Sequence, residues 1–449
     1  MAYQPVIGLE VHVELKTKSK LFCGCPAEHF GAKPNTQTCP VCLGLPGALP
    51  VPNKKAVEWT ILLGLALNSK INKESKFDRK NYFYPDLPKG YQISQYDQPL
   101  CVGGKLENIR LRRVHLEEDT GKLQHLDDMT LVDFNRSGVP LVEVVTEPDF
   151  RNVEEVDVFL KKLQQIIRYL GISNADMEKG SMRIEPSVSI LPISNTTNIK
   201  YPIEEKKLPN YRVELKNINS FKFAKRAIEY EIERQTEMLE RGEQPTQQTR
   251  GFVESKGITA VQREKEEAHD YRYFPEPDIP PMRWTASQIS ELRTQIPELP
   301  GEKKDRFMKE YSLNDYDAGL LIETRERADY FEKSLKRQKE KGKSDEVTSK
   351  TIANWIINKK VDITSVTPEE LLKQISQKAG GGATISDEEL EKVIKQVLAE
   401  SPKAVEDYKK GKEQALMFLV GQSMRKTQGK YSAEGVKKRI VELLNDKNL

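Results

Sequence analysis

Four of the five cysteines fall in two close pairs, Cys23-x-Cys25 and Cys39-x-x-Cys42, with 13 residues between the pairs. Gly24, Pro40 and Gly44 stand among them, as the tight turns around thiolate ligands require. Four soft donors at this spacing match a closed tetrahedral Zn²⁺ site, structural because no coordination position stays open. Such a site would fold a knuckle over residues of about 20–45 before any core is needed. Four free buried thiols are the alternative. Cys101 is left over and reads as a small core residue. Five cysteines in a chain that reads as cytosolic argue against a disulfide framework.

The stretch Phe77–Tyr96, FDRKNYFYPDLPKGYQISQY, fits neither a core element nor a solvated loop. It sets the rings of Tyr82, Phe83, Tyr84 and Tyr91 among Asp78, Arg79, Lys80, Asp86 and Lys89. Pro85, Pro88 and Gly90 interrupt any regular element. A core segment would show a period of 2 or 3.6 with few charges, and a flexible loop would be rich in Ser, Gly and Asn. Rigid prolines, stacking rings and fixed charges describe a pre-shaped wall for a polar, phosphorylated or nucleotide ligand. A tightly packed structural loop is the competing reading.

Strict alternation in Gly8–Leu15 places Leu9, Val11, Val13 and Leu15 on one side of a strand and Glu10, His12 and Glu14 on the other. Carboxylates and an imidazole in a row on a central strand are costly unless they bind something. The run His115-Leu116-Glu117-Glu118-Asp119 repeats the theme. Carboxylates with one His suit Mg²⁺, which takes oxygen ligands and keeps waters for substrate phosphates. A solvated sheet face would account for one such strand, not two. Glu143, inside the apolar Leu141–Val145, needs a partner, in the site or in a structural ion pair. Neither G-x-x-x-x-G-K-[ST] nor G-x-G-x-x-G occurs, so bound ATP would be held by metal, Lys and Arg on a sheet.

A chain of 449 residues is long for one core, and two or three domains are expected. With 31% charged and 37% hydrophobic residues, and its longest apolar run around Ile61–Leu67, it reads as soluble. The opening MAYQPVIGLEVHVEL lacks the basic-then-apolar pattern of a leader, which predicts a cytoplasmic protein. Strand patterns appear at Val6–Lys16, Lys105–His115, Thr130–Asn135 and Pro140–Thr146. Amphipathic helices are predicted over about Asn152–Leu170 and Phe221–Arg241. Pro275, Pro277, Pro280 and Pro281 mark a stiff boundary, after which charged helical segments replace strands. AGGGA at Ala379–Ala383 reads as a linker, followed by a helix capped by Ser386 and Glu389, then helices over about Gly411–Lys426 and Gly435–Leu444. From Ser401 onward 11 Lys and Arg face 6 Asp and Glu. That excess suggests a polyanion partner, or a solvated basic surface. The expected fold is α+β: a mixed-sheet domain over 1–290 carrying the knuckle, an all-α domain over 291–378, and a small basic helical domain over 379–449.

Several long runs resemble the B-subunit family of glutamyl/aspartyl-tRNA amidotransferases, the GatCAB enzymes. They are GLEVHVEL (Gly8–Leu15), CPVCLGLPGALPVPN (Cys39–Asn53), the Phe77–Tyr96 stretch, HLEEDTGK (His115–Lys122), DFNRSGVPLVEVVTEPD (Asp133–Asp149), ELKNINSF (Glu214–Phe221), DYRYFPEPD (Asp270–Asp278) and FLVGQSM (Phe418–Met424). The resemblance implies a cradle-like catalytic domain and a YqeY-like tRNA-binding tail. It implies a carbon–nitrogen ligase that uses ATP and Mg²⁺ to phosphorylate the side-chain carboxylate of misacylated Glu-tRNA(Gln) or Asp-tRNA(Asn). Ammonia from a glutaminase A subunit then displaces the phosphate, within a heterotrimer that also holds a C subunit. On this reading Glu10, His12, Glu117 and Glu118 hold the metal and Glu143 supports them or the substrate amine. Arg79, Lys80 and Lys89 neutralise phosphates, and Tyr82 and Tyr84 wall the aminoacyl end. Many bacterial members carry the zinc knuckle. Where the family usually reads R-x-D-x-N-x-S, this chain has Arg183-Ile184-Glu185-Pro186-Ser187-Val188-Ser189. That departure keeps open a tRNA-binding, zinc-containing scaffold without chemistry of its own.

Overall fold

The computed structural model describes residues 2–193, 208–264, 271–340, 347–380, 387–410, 412–427 and 433–445. The chain divides into two compact units, Met1–Lys303 and Lys304–Leu449.

The first unit begins with β1 (Ala2–Glu14), β2 (Lys70–Ile71), β3 (Glu74–Ser75), β4 (Asp78–Asn81), β5 (Tyr91–Ser94), β6 (Cys101–Val102), β7 (Lys105–Leu106) and β8 (Ile109–Glu118). There follow β9 (Lys122–His125), β10 (Thr130–Asp133), β11 (Pro140–Thr146), β12 (Met182–Ile193), β13 (Val213–Lys216), β14 (Gln248–Val253), β15 (Ile258–Glu264), β16 (Phe274–Pro275) and β17 (Met282–Arg283). Ten strands form one mixed sheet in the order β15-β14-β13-β12-β1-β11-β8-β6-β2, with β7 beside β8. Among the described residues only β13 and β14 pair in parallel, joined by the crossover helix α3 described next.

Helices α1 (Lys54–Ala66), α2 (Val153–Leu170), α3 (Phe221–Glu240) and α4 (Ala286–Thr294) complete this unit. Asn152 accepts from the Glu155 amide to start α2, and Gly171, at φ 69°, ends it. The buried face of α2, with Val156, Phe159, Leu160, Leu163 and Ile167, packs into one core with Leu9, Val11 and Val13. Each such buried side chain contributes about 1.5–3 kcal/mol. Helix α3 starts on Ser220, whose hydroxyl accepts from the Phe223 amide, and stops before Gly242, at φ 79°. With helices covering the apolar face of the sheet, the face carrying Glu10 and His12 is left to form something else.

The second unit is helical among its described residues: α5 (Pro300–Tyr311, beginning in the first unit), α6 (Asp315–Leu321), α7 (Arg325–Glu340), α8 (Ser349–Asn358), α9 (Pro368–Gly380), α10 (Asp387–Glu400), α11 (Pro402–Lys409), α12 (Glu413–Lys426) and α13 (Ala433–Asn445). Phe307, Leu321, Phe331, Ile352 and Leu371 belong to one apolar cluster; Leu390, Ile394, Leu419 and Ile440 belong to another. The expected AGGGA linker needs correcting at its start, because α9 runs through Gly380. Its remainder and Ser386 lie outside the described residues. Helix α11 has no counterpart among the helices expected from periodicity. No helix among the described residues is long and apolar enough to cross a membrane.

Candidate active site and metal centres

Antiparallel pairing converts three separate sequence runs into one row. His12 on β1 stands opposite Glu143 on β11, and Glu143 stands opposite His115 on β8. The other side of β1 pairs with β12, where Glu10 faces Glu185 and His12 faces Arg183. The polar face of the sheet thereby becomes the floor of a cavity of about 900 Å³. Glu10, His12, His115, Glu117, Glu143 and Glu185 line the floor; Lys80, Tyr82, Tyr84 and Asp86 come from the aromatic stretch.

Ligand atoms of His12, Glu117 and Glu143 lie within 4.8 Å of one another. His12 Nε2 is 3.8 Å from Glu117 Oε1 and 3.7 Å from Glu143 Oε2. His115 Nε2 is 3.0 Å from Glu143 Oε2, and Arg113 Nε lies 3.3 Å from its Nδ1; burial opposes charge on His115, but Glu143 and Glu117 raise its pKa. Ser94 donates to Glu117 at 2.9 Å. An imidazole and two carboxylates, with second partners orienting them, form a donor set that fits a hard divalent cation keeping water ligands.

Electrostatics favour the charged form of both carboxylates. Burial works against the Glu143 carboxylate, yet His115 and His12 hold its pKa well below the usual range. Glu117 is also lowered against burial, chiefly by its hydrogen bond with His115. Lys80 lies 5.0 Å from the Tyr271 ring centre and 5.9 Å from that of Tyr82. Burial opposes its charge, but Glu117, Tyr273 and Glu143 raise its pKa. Glu10 behaves differently: burial, and then Glu143 and Glu185, push it up. A bound cation nearby would favour its charged form.

A strap over residues 271–284 closes one wall. Phe274 pairs with Arg79 and Met282 with Ser75. Asn81 donates its amide to the Tyr271 carbonyl and its side chain to the Arg272 carbonyl, at 2.9 and 2.8 Å. Arg272, at φ 40°, holds a conformation costly for a non-glycine residue. Tyr273 stacks on Tyr96 at 4.3 Å, and burial pushes its hydroxyl up to about 12.

Three expected site residues stand elsewhere. Arg79 turns to Glu276, at 2.6 and 2.8 Å, and lies 4.4 Å over the Tyr91 ring, away from the cavity. Glu118 follows Glu117 on a strand and so faces the opposite side. There it meets Lys89 at 2.6 Å and accepts from the Ile93 amide. Lys89 and Glu118 line a separate chamber of about 170 Å³ beside Cys23 and Cys42. Glu14 also leaves the row, pairing with His29 at 3.0 Å. Conversely, the cavity gains residues given no role from sequence: Arg113, Arg183, Arg212, Lys216 and the strap's Tyr271, Arg272 and Tyr273. The rings and charges of DYRYFPEPD repeat the character of Phe77–Tyr96, and that likeness was the available signal. The altered segment forms part of the wall, with Arg183 on Asp119 at 2.7 Å and Glu185 on Lys216 at 2.9 Å.

The sulfurs of Cys23, Cys25, Cys39 and Cys42 also lie within 4.8 Å of one another. Cys39 and Cys42 are 3.8 Å apart, matching the sulfur–sulfur edge of about 3.8 Å that a tetrahedron with 2.3 Å bonds requires. Fully buried Lys20 sits 3.6 Å from Cys42 Sγ, where its charge suits a thiolate. Gly44, at φ 65°, packs so closely on Lys89 that an added Cβ would come within 2.1 Å of its Cγ.

Two family models match the chain: a GatB/GatE catalytic domain over residues 5–290 and a GatB domain over residues 345–444. The B subunit of the aspartyl/glutamyl-tRNA(Asn/Gln) amidotransferase of Thermoanaerobacter sp. (strain X514) is 44% identical, covering 99% of this chain and 100% of its own length. The protein of the same name from Persephonella marina is 45% identical, covering 99% and 100%. That from Thermotoga maritima is 44% identical, covering 99% of each.

Proposed function

Because this chain belongs to the GatB/GatE family of aspartyl/glutamyl-tRNA(Asn/Gln) amidotransferase B subunits, we propose that its sheet cavity activates and amidates the side chain of Glu-tRNA(Gln), Asp-tRNA(Asn) or both. The substrate carboxylate attacks the γ-phosphorus of ATP and ADP leaves. Ammonia then adds to the acyl carbon, the carbon–oxygen bond to phosphate breaks, and the amine loses a proton. Activation is needed because a free carboxylate offers ammonia no acceptable leaving group. The observation that carries this reading is the His12–Glu117–Glu143 cluster on one sheet face, with Lys80 fixed beside it.

Mg²⁺ held by His12, Glu117 and Glu143, with Glu10 alongside, would supply charge neutralisation for the phosphates. Lys80, in its cage of rings, offers a cation that needs no reorganisation as charge develops. Arg113, Arg183 and Arg272 give the cavity further positive charge. Tyr82 and Tyr84 wall the aminoacyl end. Zinc in the cysteine quartet is structural. The glutaminase A subunit and the C subunit are the partners, the body of the tRNA meets the basic domain over 379–449, and the enzyme works in the cytoplasm as a carbon–nitrogen ligase with glutamine as amide donor.

The test is Glu10→Gln in a reconstituted complex, with aminoacyl-tRNA-dependent ATP hydrolysis and glutamine hydrolysis followed together. ATP hydrolysis should fall on the order of 10²–10³-fold while basal glutamine hydrolysis persists. Near-normal ATP hydrolysis would refute the metal assignment.

A further inference from the structure

Most acids of the cavity meet a donor or a cation. Glu117 takes Ser94 and His115, Asp119 takes Arg183, Glu185 takes Lys216, and Glu214 has Arg212 at 3.3 Å. Glu10 sits among carboxylates, at the end suited to a metal. Asp86 has no such company: its Oδ1 is buried and meets no donor among the described residues.

The position is built and not accidental. Asp86 lies between Pro85 and Pro88, in a turn closed by the Leu87 amide on the Tyr84 carbonyl at 3.0 Å. Its own carbonyl accepts from Gly121 at 2.9 Å, and a Cβ on Gly121 would come within 3.2 Å of that oxygen. The backbone is therefore held where Asp86 lines the cavity together with Tyr82 and Tyr84. Its charge is close enough to act on the Tyr82 hydroxyl. A lone carboxylate among aromatic faces favours an organic ammonium over a hydrated divalent ion, which would need further oxygen ligands.

We propose that Asp86, with Tyr82 and Tyr84, forms a subsite for the α-ammonium of the esterified amino acid, a reading that rests on the proposed function. It is a positioning subsite: with the amine anchored there, the side-chain carboxylate extends toward His12, Glu117 and Glu143. An acylated amine has no charge to offer and is refused.

The experiment titrates the full-length protein with glutamate α-methyl ester and its N-acetyl counterpart by NMR. Wild type should bind the free amine at least about tenfold more tightly, as expected for a hydrogen bond to a charged group. Asp86→Asn should bind both esters equally and weakly, because the docked backbone is unchanged and only the charge is gone. Asp86→Glu should restore part of the preference. Wild type indifferent to acetylation, or Asp86→Asn with an undiminished preference, overturns the subsite. If Asp86→Asn does not fold, the wild-type comparison decides alone. If wild type binds neither ester, the aminoacyl reading of the cavity falls as well, which separates the two failures.

Discussion

Glu117 and Glu118 are neighbours in sequence with different partners, because successive side chains of β8 point to opposite faces. Glu117 contributes to the cluster with His12 and Glu143, whereas Glu118 neutralises Lys89, whose side chain is only 9% exposed. Glu117→Gln should therefore lower Mn²⁺ or Mg²⁺ affinity at least 10–100-fold with a small change in stability. Glu118→Gln should leave metal affinity near wild type but cost about 3–5 kcal/mol, since it strands a buried ammonium. Metal titration and chemical unfolding of both variants check the contrast; equal effects on metal affinity would refute it. The alternation needed for this distinction is present in the sequence, as it was for Glu10 and His12. Residue chemistry groups Glu117 with Glu118, and strand geometry separates them. Arg79 and Lys89 are another matter. Nothing local indicates that Arg79 belongs to Glu276, 197 residues away. Nor does composition reveal that Asp86, one charge among many in its stretch, is the unsatisfied one.

Among the elements, α3 carries a buried polar anchor beside its apolar face. Glu231, wholly buried, takes Arg250 at 3.0 Å, Arg234 at 2.8 Å, Gln235 at 3.0 Å and the Thr259 hydroxyl. Gln235 accepts from Tyr211, whose hydroxyl in turn accepts from the Ile190 amide. This chain ties the crossover helix to β12, β14 and β15, and so sets β13, which carries Glu214 and Lys216 into the cavity. Burial would raise the Glu231 pKa, but Arg234, Gln235 and Thr259 together outweigh it and the net shift is downward. Its contribution is thus present above the ordinary value of about 4.5 and lost as pH falls through the lowered native one. Glu231→Gln should cost about 3 kcal/mol at neutral pH by leaving Arg250 unpaired, and the gap should close in acid. Unfolding at pH 7 and below pH 4 tests the sign; a gap that widens in acid refutes it. The knuckle is a second anchored element. Purified anaerobically, the protein should carry one zinc per chain, and Cys39→Ala should lose it together with stability of the N-terminal region. Elemental analysis without zinc would refute this. Helices α2 and α3 were readable to within a residue or two from their periodicity and caps, whereas α11, short and lacking a side-chain cap, left no comparable mark.

At the scale of the whole molecule, Lys and Arg outnumber Asp and Glu from Ser401 onward, 11 to 6. Removal of residues 386–449, with their excess of Lys and Arg, should weaken tRNA binding and flatten its dependence on salt, because fewer counterions are released. ATP binding should survive. Unchanged affinity and slope would assign the segment to docking a partner protein. Strand patterns are lost after Pro281, which is visible in the sequence, whereas the chain divides at Lys303 into two units and not at 290 and 378 into three. The shape of the cavity could not be seen, since its walls come from residues near 10, 80, 115, 143, 183, 214 and 272. The strap that finishes it has one more consequence, in time. A ribosome adding about 5–20 residues per second places Glu276 roughly 10–40 s after Arg79. Throughout that interval the ring-bearing stretch has no lid, and the nascent protein cannot yet enclose a substrate. Chains stalled near residue 264 should be cut by protease within 77–96, and chains released beyond residue 303 should resist. Translation of this enzyme therefore completes its pocket late, by a clasp between two segments made at widely separated moments.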